Sequence, residues 1–173
     1  NDVSIRVMLS VMLMADYDAQ LVDIKGAFLH GESNEGESVY CKIPEGFEKW
    51  HDPESEVWLL ERTAYGLKQA SMAFWKEILK CMKHMGFERS VCDPCLYWKN
   101  TPSGLIVWLS WIDDCLCIGP KDEVAKSKKE LMRLFECQDI GEFNEYVGCK
   151  IERNREKRTC LLYTSDAADD ANC

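Results

Sequence analysis

Two adjacent carboxylates, Asp113 and Asp114, interrupt an otherwise apolar stretch that runs from Leu105 to Ile118. The residues on both sides favour β structure, so the stretch predicts two strands joined by a short turn. Adjacent carboxylates repel each other and are costly to withdraw from water, so a fold keeps them most readily beside a cation. A third carboxylate, Asp23, follows an apolar run that ends at Val22. The three acids are therefore candidate metal ligands.

One strand-end aspartate combined with an Asp-Asp hairpin is the acidic set that enzymes of nucleotidyl transfer use to hold two Mg²⁺ ions. The alternative is a polar turn that only closes the hairpin, because aspartate favours turns. Asp113 and Asp114 alone do not separate these two interpretations.

Apolar spacing predicts the elements that would position the three acids. The predicted helices cover residues 3–18, 68–85 and 122–135, and the predicted strands cover 19–24, 39–43, 57–62, 95–99, 105–118 as a hairpin, and 146–152. Residues 26–36 are predicted to form a loop or short turn. This alternation predicts an α+β fold, in which an antiparallel sheet carries helices on one face. Asp23 lies beside the hairpin if their strands are neighbours.

Length and composition indicate one globular domain or a piece of one. The chain has 173 residues, 46% of them hydrophobic, and no apolar run approaches the length of a membrane span. It does not begin with Met, which predicts a fragment. The formal charge of −9 argues at first sight against nucleic-acid binding. Basic residues nevertheless concentrate in residues 121–133, which we interpret as a solvated face, and in residues 150–158.

The ten cysteines lie mostly within apolar runs, where a free thiol acts as a small hydrophobic group. Without an export signal, this usage predicts a reducing compartment. Cys92 and Cys95 have CxxC spacing, and Cys115 and Cys117 could complete a zinc site. The second pair has only one intervening residue within a strand, so its geometry for zinc is poor. A zinc-binding or redox module is thus an open but weaker alternative.

Seven motifs in order make the chain similar to one family. They are DIKGAFLHG at residues 23–31, VY with PEGF at 39–47, YGLKQA at 65–70, GF at 86–87, DPCLY at 93–97, WIDD at 111–114, and IGE with VG at 140–148. Over about residues 3–159 the chain resembles the reverse transcriptase of copia-type LTR retrotransposons. Each motif alone is a weak signal, but the ordered set at compatible spacing is specific.

This resemblance implies an RNA-directed DNA polymerase, with residues 1–159 forming the palm and part of the fingers. It implies that Asp23, Asp113 and Asp114 hold two Mg²⁺ ions, for which Mn²⁺ could substitute, and that Ile24, Phe28 and Gln69 contact the nucleotide. The implied substrates are deoxynucleoside triphosphates and an RNA or DNA template with its primer. RNase H and integrase regions would belong to the same polyprotein. No membrane is implied, and the expected location is a cytoplasmic virus-like particle or the nucleus.

Some residues depart from the family pattern. Trp111 and Ile112 replace Tyr and Val beside the acids, which conserves apolar character. Ser71-Met72 replaces Pro-Arg, which removes a cation near the expected nucleotide pocket, and Gln138 stands where the family usually has Lys. Loss of a proton donor at that position would slow the chemistry. A catalytically dead relic is therefore the second alternative, and the isolated fragment is expected to be inactive without fingers and thumb.

Residues 160–173 do not fit the pattern of the preceding chain. They resemble a translated sequencing adapter, so we expect a non-native tail that packs against nothing specific. Within it, residues 157–163 favour β structure and could imitate a strand that pairs with 146–152, whereas residues 164–173 are expected to be exposed and irregular.

Overall fold

The computed structural model of the protein describes residues 2–32 and 38–164. Two compact units divide it, one formed by residues 1–25 and 79–173 and the other by residues 26–78. In chain order the elements are α1 (Asp2–Ala15), β1 (Asp18–Ile24), a 3-10 helix (Ala27–His30), β2 (Val39–Lys42), β3 (Val57–Leu60), α2 (Ala70–His84), β4 (Glu88–Arg89), β5 (Leu96–Thr101), β6 (Gly104–Trp111), β7 (Asp114–Gly119), α3 (Lys121–Leu134), β8 (Cys137–Glu142), β9 (Glu145–Tyr146), β10 (Cys149–Asn154) and β11 (Thr159–Thr164).

The larger unit contains a six-stranded antiparallel sheet in the order β4-β5-β6-β7-β1-β8. The first strand of the unit, β1, thus lies between β7 and β8, which come about a hundred residues later. Beside it, β9, β10 and β11 form a second, three-stranded antiparallel sheet. Mixed helices and antiparallel strands confirm the predicted α+β class.

Helices cover both faces of the six-stranded sheet. On one face, α1 packs its apolar side onto alternate residues of β1, β6 and β7, in a cluster that includes Met8, Met12, Leu21 and Leu116. On the other face, the indole Nε1 of the fully buried Trp108 in β6 donates a 2.8 Å hydrogen bond to Ser127 Oγ of α3. The prediction that the helices share one face was therefore wrong. The α1 face also packs against β10 and β11.

Backbone turns shorten one predicted element and divide another into two. Helix α1 stops at Ala15 instead of residue 18, since Asp16 has a positive φ of 51° and Tyr17 N–H turns back to the Met12 carbonyl. The predicted strand 146–152 is two strands, β9 and β10. Positive φ angles at Val147 and Gly148 form the tight turn between them, as two-residue hairpin loops require.

Two strands differ from the sequence prediction at the carboxyl-terminal end. Strand β8 was not predicted, yet it is the second neighbour of β1. Strand β11 pairs with β10, as expected for residues 157–163, but its Cys160 and Leu162 pack against the core. The expectation that residues 160–173 contact nothing specific is therefore wrong for these two. Thr164 ends β11 instead of being irregular, and residues 165–173 lie outside the described part of the chain.

The smaller unit contains the 3-10 helix, the β2–β3 hairpin and the first part of α2. Thr63, which is buried, organises it: its hydroxyl donates to the Phe28 carbonyl, and its N–H donates to the Gly31 carbonyl at 3.0 Å. Helix α2 ends at His84, and a positive φ at Gly86 lets the N–H groups of Gly86 and Phe87 donate back to the carbonyls of Lys83 and Met82. No helix in the described ranges is long and apolar enough to span a membrane.

Candidate active site

Strand pairing brings Asp23 and Asp114 face to face. β1 and β7 are antiparallel neighbours, and in their register Asp23 is directly opposite Asp114. One residue further along, Ile24 N–H donates a 2.9 Å hydrogen bond to the Asp113 carbonyl. Directly paired residues point to the same side of a sheet, so both carboxylates lie on the α1 face, in line with Leu21 and Leu116. The predicted proximity of Asp23 to the hairpin is thus confirmed.

A two-residue turn, Ile112 and Asp113, joins β6 to β7, with Trp111 paired to Asp114 across it. Ile112 has a positive φ of 54°, a conformation that a β-branched residue rarely adopts. Strained backbone of this kind persists where the surrounding structure fixes it, and it concentrates at functional sites. The turn places Asp113 at the tip of the hairpin, apart from the strand positions of the other two acids.

The three carboxylates influence one another electrostatically. Partial withdrawal from water raises the pKa of the Asp114 carboxyl, and the negative charges of Asp113 and Asp23 raise it further. This is the electrostatic situation that a bound cation would relieve. Among the described residues, however, no three His, Cys, Asp or Glu side chains are gathered as a metal-binding group. Convergence of all three acids into one metal cluster is therefore not seen in the described residues, and their role as metal ligands stays a prediction.

Removing one of these charges tests the interaction. Above the ordinary carboxyl pKa of about 4, an acid whose pKa is raised by folding destabilises the native state, and this cost disappears as pH falls and the group is protonated. We expect metal-free Asp114→Asn to melt at a higher temperature than the unmodified chain at pH 7 and at the same temperature near pH 3. Thermal unfolding in EDTA measures this, with Asp122→Asn as the control. A pH-independent difference would contradict it.

The residues expected to contact a nucleotide fall in both units. Ile24, in the larger unit, is fully buried with its N–H already bonded to Asp113. Phe28 and Gln69 belong to the smaller unit. The Phe28 ring packs edge-on against Tyr65 with centroids 4.8 Å apart, and Gln69 directly precedes α2, where its carbonyl accepts a bond from Ala73 N–H. Their contact with a nucleotide stays a prediction.

Cysteines do not form the alternative zinc site. Cys92 is exposed and Cys95 half-buried, whereas Cys115 and Cys117 are fully buried on the α3 face of β7. Burial raises the pKa of both β7 thiols, which disfavours the thiolate that zinc requires. No metal-binding group of three such side chains occurs in residues 2–32 and 38–164, so the zinc interpretation was wrong for the described chain. All nine cysteines in that part are free thiols.

One residue near the site was missed by sequence reasoning. Lys128 was grouped with the solvated basic stretch, but its side chain is only 13% exposed. It contacts Gln20 of β1 and Asp139 of β8. A single basic residue inside a basic run carries no sequence signal that separates it from its solvated neighbours.

An antiparallel α+β domain with an Asp-Asp hairpin opposite a strand-borne aspartate is the arrangement expected of a template-directed polymerase. Comparison with known proteins gives the family: residues 2–166 match the reverse transcriptase (RNA-dependent DNA polymerase) family. The chain belongs to that family, and the resemblance to copia-type elements is confirmed by its homologues.

Three transposon proteins illustrate the relationship. The Retrovirus-related Pol polyprotein from transposon TNT 1-94 of Nicotiana tabacum is 35% identical over 164 residues, which cover 92% of this chain and 12% of that protein. A putative transposon Ty5-1 protein of Saccharomyces cerevisiae is 32% identical, over 77% of this chain and 42% of its own length. The Pol polyprotein from transposon RE1 of Arabidopsis thaliana is 28% identical, over 87% and 10% respectively. The chain thus spans less than half of each of these proteins.

Proposed function

We propose that this chain is the polymerase segment of a copia-type Pol polyprotein and extends a primer 3′-hydroxyl with deoxynucleotides along an RNA or DNA template. The observation that carries the proposal is the register of β1 and β7, which sets Asp23 opposite Asp114 with Asp113 in the adjoining turn. Family membership supports the class of reaction. RNase H and integrase regions of the same polyprotein are the proposed covalent partners.

The donor set of the site fits magnesium. Carboxylate oxygens are hard ligands of the kind that Mg²⁺ prefers. Burial raises the pKa of the Asp114 carboxyl, the charges of Asp113 and Asp23 raise it further, and a bound cation would offset the cost of these negative charges. Asp23 and Asp113 are the proposed principal ligands, and Asp114 the third acid of the set. Bound there, two Mg²⁺ ions would stabilise the attacking and leaving oxygens of an in-line displacement.

The chain's own residues would orient the substrates. Asp23 and Asp114 are held on paired strands of a sheet covered on both faces, which limits their movement during the reaction. For Phe28 we propose a position beneath the sugar of the incoming nucleotide, where its ring would exclude a 2′-hydroxyl. Gln69, at the start of α2, would offer its amide to the nucleotide or template.

Magnesium binding tests the proposed site independently of activity. An ion that binds only the native state stabilises it by RT ln(1 + [L]/Kd), about 1.4 kcal/mol at tenfold excess over Kd. For a domain of this size we expect Mg²⁺ to raise the melting temperature by about 3–6 °C. Asp113→Asn should abolish most of this gain, and Asp122→Asn should retain it. Equal responses of the unmodified chain and Asp113→Asn would refute metal binding at this site.

A further inference from the structure

A β-bulge interrupts the pairing of β1 with β8 directly beside Asp23. Leu21 pairs with Gly141, but the next residue, Val22, pairs with Asp139, so Ile140 is an extra residue in β8. Gly141 has a φ of +83°, a conformation that favours glycine, and a Cβ added there would meet no neighbour within 4 Å. Backbone conformation is thus what requires glycine at this bulge.

The extra residue determines which side chain of β8 faces Asp23. With the bulge, Gln138 is directly opposite Asp23, and Asp139 points to the α3 face with Val22. Without it, continued pairing from Leu21 would place Asp139 opposite Asp23, because a shift of one residue moves every later side chain to the other face. Asp139 would then be a third carboxylate on the face of Asp23 and Asp114, and like charges directly opposite each other are destabilising.

Lys128 of α3 holds the bulge from the opposite face. Its Nζ donates to Asp139 Oδ1 at 2.8 Å and to Gln20 Oε1 at 2.6 Å. One ammonium group therefore joins β8 to β1 at positions that flank the bulge. The same Asp139 oxygen accepts the Gly141 N–H at 2.9 Å. These contacts lower the pKa of the Asp139 carboxyl, with the hydrogen bond from Lys128 as the main cause. The carboxylate is therefore neutralised on the α3 face.

We propose that Lys128, Asp139 and the Gly141 bulge form a positioning device that sets an amide, Gln138, opposite Asp23 and keeps the Asp139 carboxylate off the face of Asp23 and Asp114. Lys128 is a positioning residue that acts through Asp139. The functional part of this inference rests on the proposed polymerase activity, whereas the register of β8 does not.

Solution NMR of the full chain tests the register. In the unmodified chain, cross-strand NOEs should connect Ile24 with Cys137, the pair that follows Asp23 and Gln138. In Lys128→Met we expect these NOEs to weaken and Ile24 to gain contacts with Gln138, which marks the bulge-free register. Asp139→Asn removes the other partner without changing its shape and should act in the same direction. Unchanged Ile24–Cys137 contacts in both variants would overturn the proposal.

Matched variants separate positioning from a general loss of charge. Lys128→Arg retains the cation and should keep the native NOEs. Lys126 is an exposed lysine of the same helix, and its Nζ pairs with Glu123. Lys126→Met should also keep the native NOEs. A shift of the NOEs in Lys126→Met equal to that in Lys128→Met would show that the charge of the helix, and not the contacts of Lys128 with Asp139 and Gln20, is responsible.

Primer extension by a full Pol polyprotein that carries this domain tests the consequence for the reaction. Lys128→Met should lower kcat on the order of tenfold while KM for the deoxynucleotide changes less than about twofold, because misplacement near reacting groups affects turnover. Lys128→Arg should restore kcat. A shifted register with unchanged kcat would overturn the functional part. No extension by the unmodified polyprotein would refute the proposed function and leave the NMR result to decide the register.

Discussion

Asp113→Asn is expected to reduce primer extension by about 10³-fold, because several kcal/mol of transition-state stabilisation depends on the metal that this carboxylate would hold. Asparagine keeps the size of the side chain and its place in the turn between β6 and β7, so the fold should be retained. The measurement is single-nucleotide incorporation by a Pol polyprotein that carries this domain, with circular dichroism to verify folding.

Asp122→Asn supplies the control for that experiment. Asp122 lies in the first turn of α3, and the same change of Asp to Asn there should leave incorporation within about twofold of the unmodified enzyme. Retention of a tenth or more of the activity in Asp113→Asn would contradict its role as a principal ligand. Absence of incorporation by the unmodified polyprotein would instead identify the domain as a catalytically dead relic.

Trp108→Ala should have the largest effect on stability. The indole is fully buried between β6 and α3, and replacing a buried tryptophan by alanine typically costs about 3–5 kcal/mol. Since domains are stable by only about 5–15 kcal/mol, the variant should lie close to unfolding at 25 °C. Urea denaturation followed by tryptophan fluorescence and circular dichroism measures the change through the shift in midpoint.

Two variants separate the parts of this loss. Trp108→Phe keeps an aromatic ring but removes the N–H that donates to Ser127, and Ser127→Ala removes the acceptor. Ser127→Ala should cost about 1–3 kcal/mol, because it leaves a buried donor without its partner. A cost of Trp108→Ala no greater than that of Ser127→Ala would show that the ring contributes little packing, contrary to the expectation.

The central elements could be predicted because local pattern and tertiary role agree there. The apolar runs on both sides of Asp113 and Asp114 predicted the hairpin, and the motif at Asp23 predicted a neighbouring strand. Helix α2 lies within two residues of its predicted ends, since its apolar spacing is regular and Gly86 stops it. For these elements, short-range sequence was sufficient.

The distribution of helices between the two faces could not be obtained from helix patterns. An amphipathic helix such as α3 requires a surface to cover, but its sequence does not state which face of the sheet provides it. A signal was present in β6, where buried side chains run continuously from Ile106 to Ser110 instead of alternating. Such a run is typical of a strand covered on both faces.

Strand β8 was missed for a different reason. Only Cys137, Ile140 and Gly141 of its six residues lack a polar amide or a carboxylate. Most of the six residues are exposed at the edge of the sheet. Edge strands carry weak alternation because one side meets solvent, and the bulge at Ile140 disrupts the remaining period of two. The residue opposite Asp23 therefore depends on tertiary pairing that no local window contains.

The pairing of β1 with β7 also has a consequence during protein synthesis. Asp23 leaves the ribosome about ninety residues before Asp114, which corresponds to roughly 5–20 s at ordinary translation rates. During that interval β1 has neither of its strand neighbours, and helix α1 lacks the strands that cover Met8 and Met12. The nascent chain must keep this apolar segment soluble until the hairpin emerges. Ribosome-bound chains that end before residue 113 should accordingly recruit chaperones more strongly than chains that extend past residue 142.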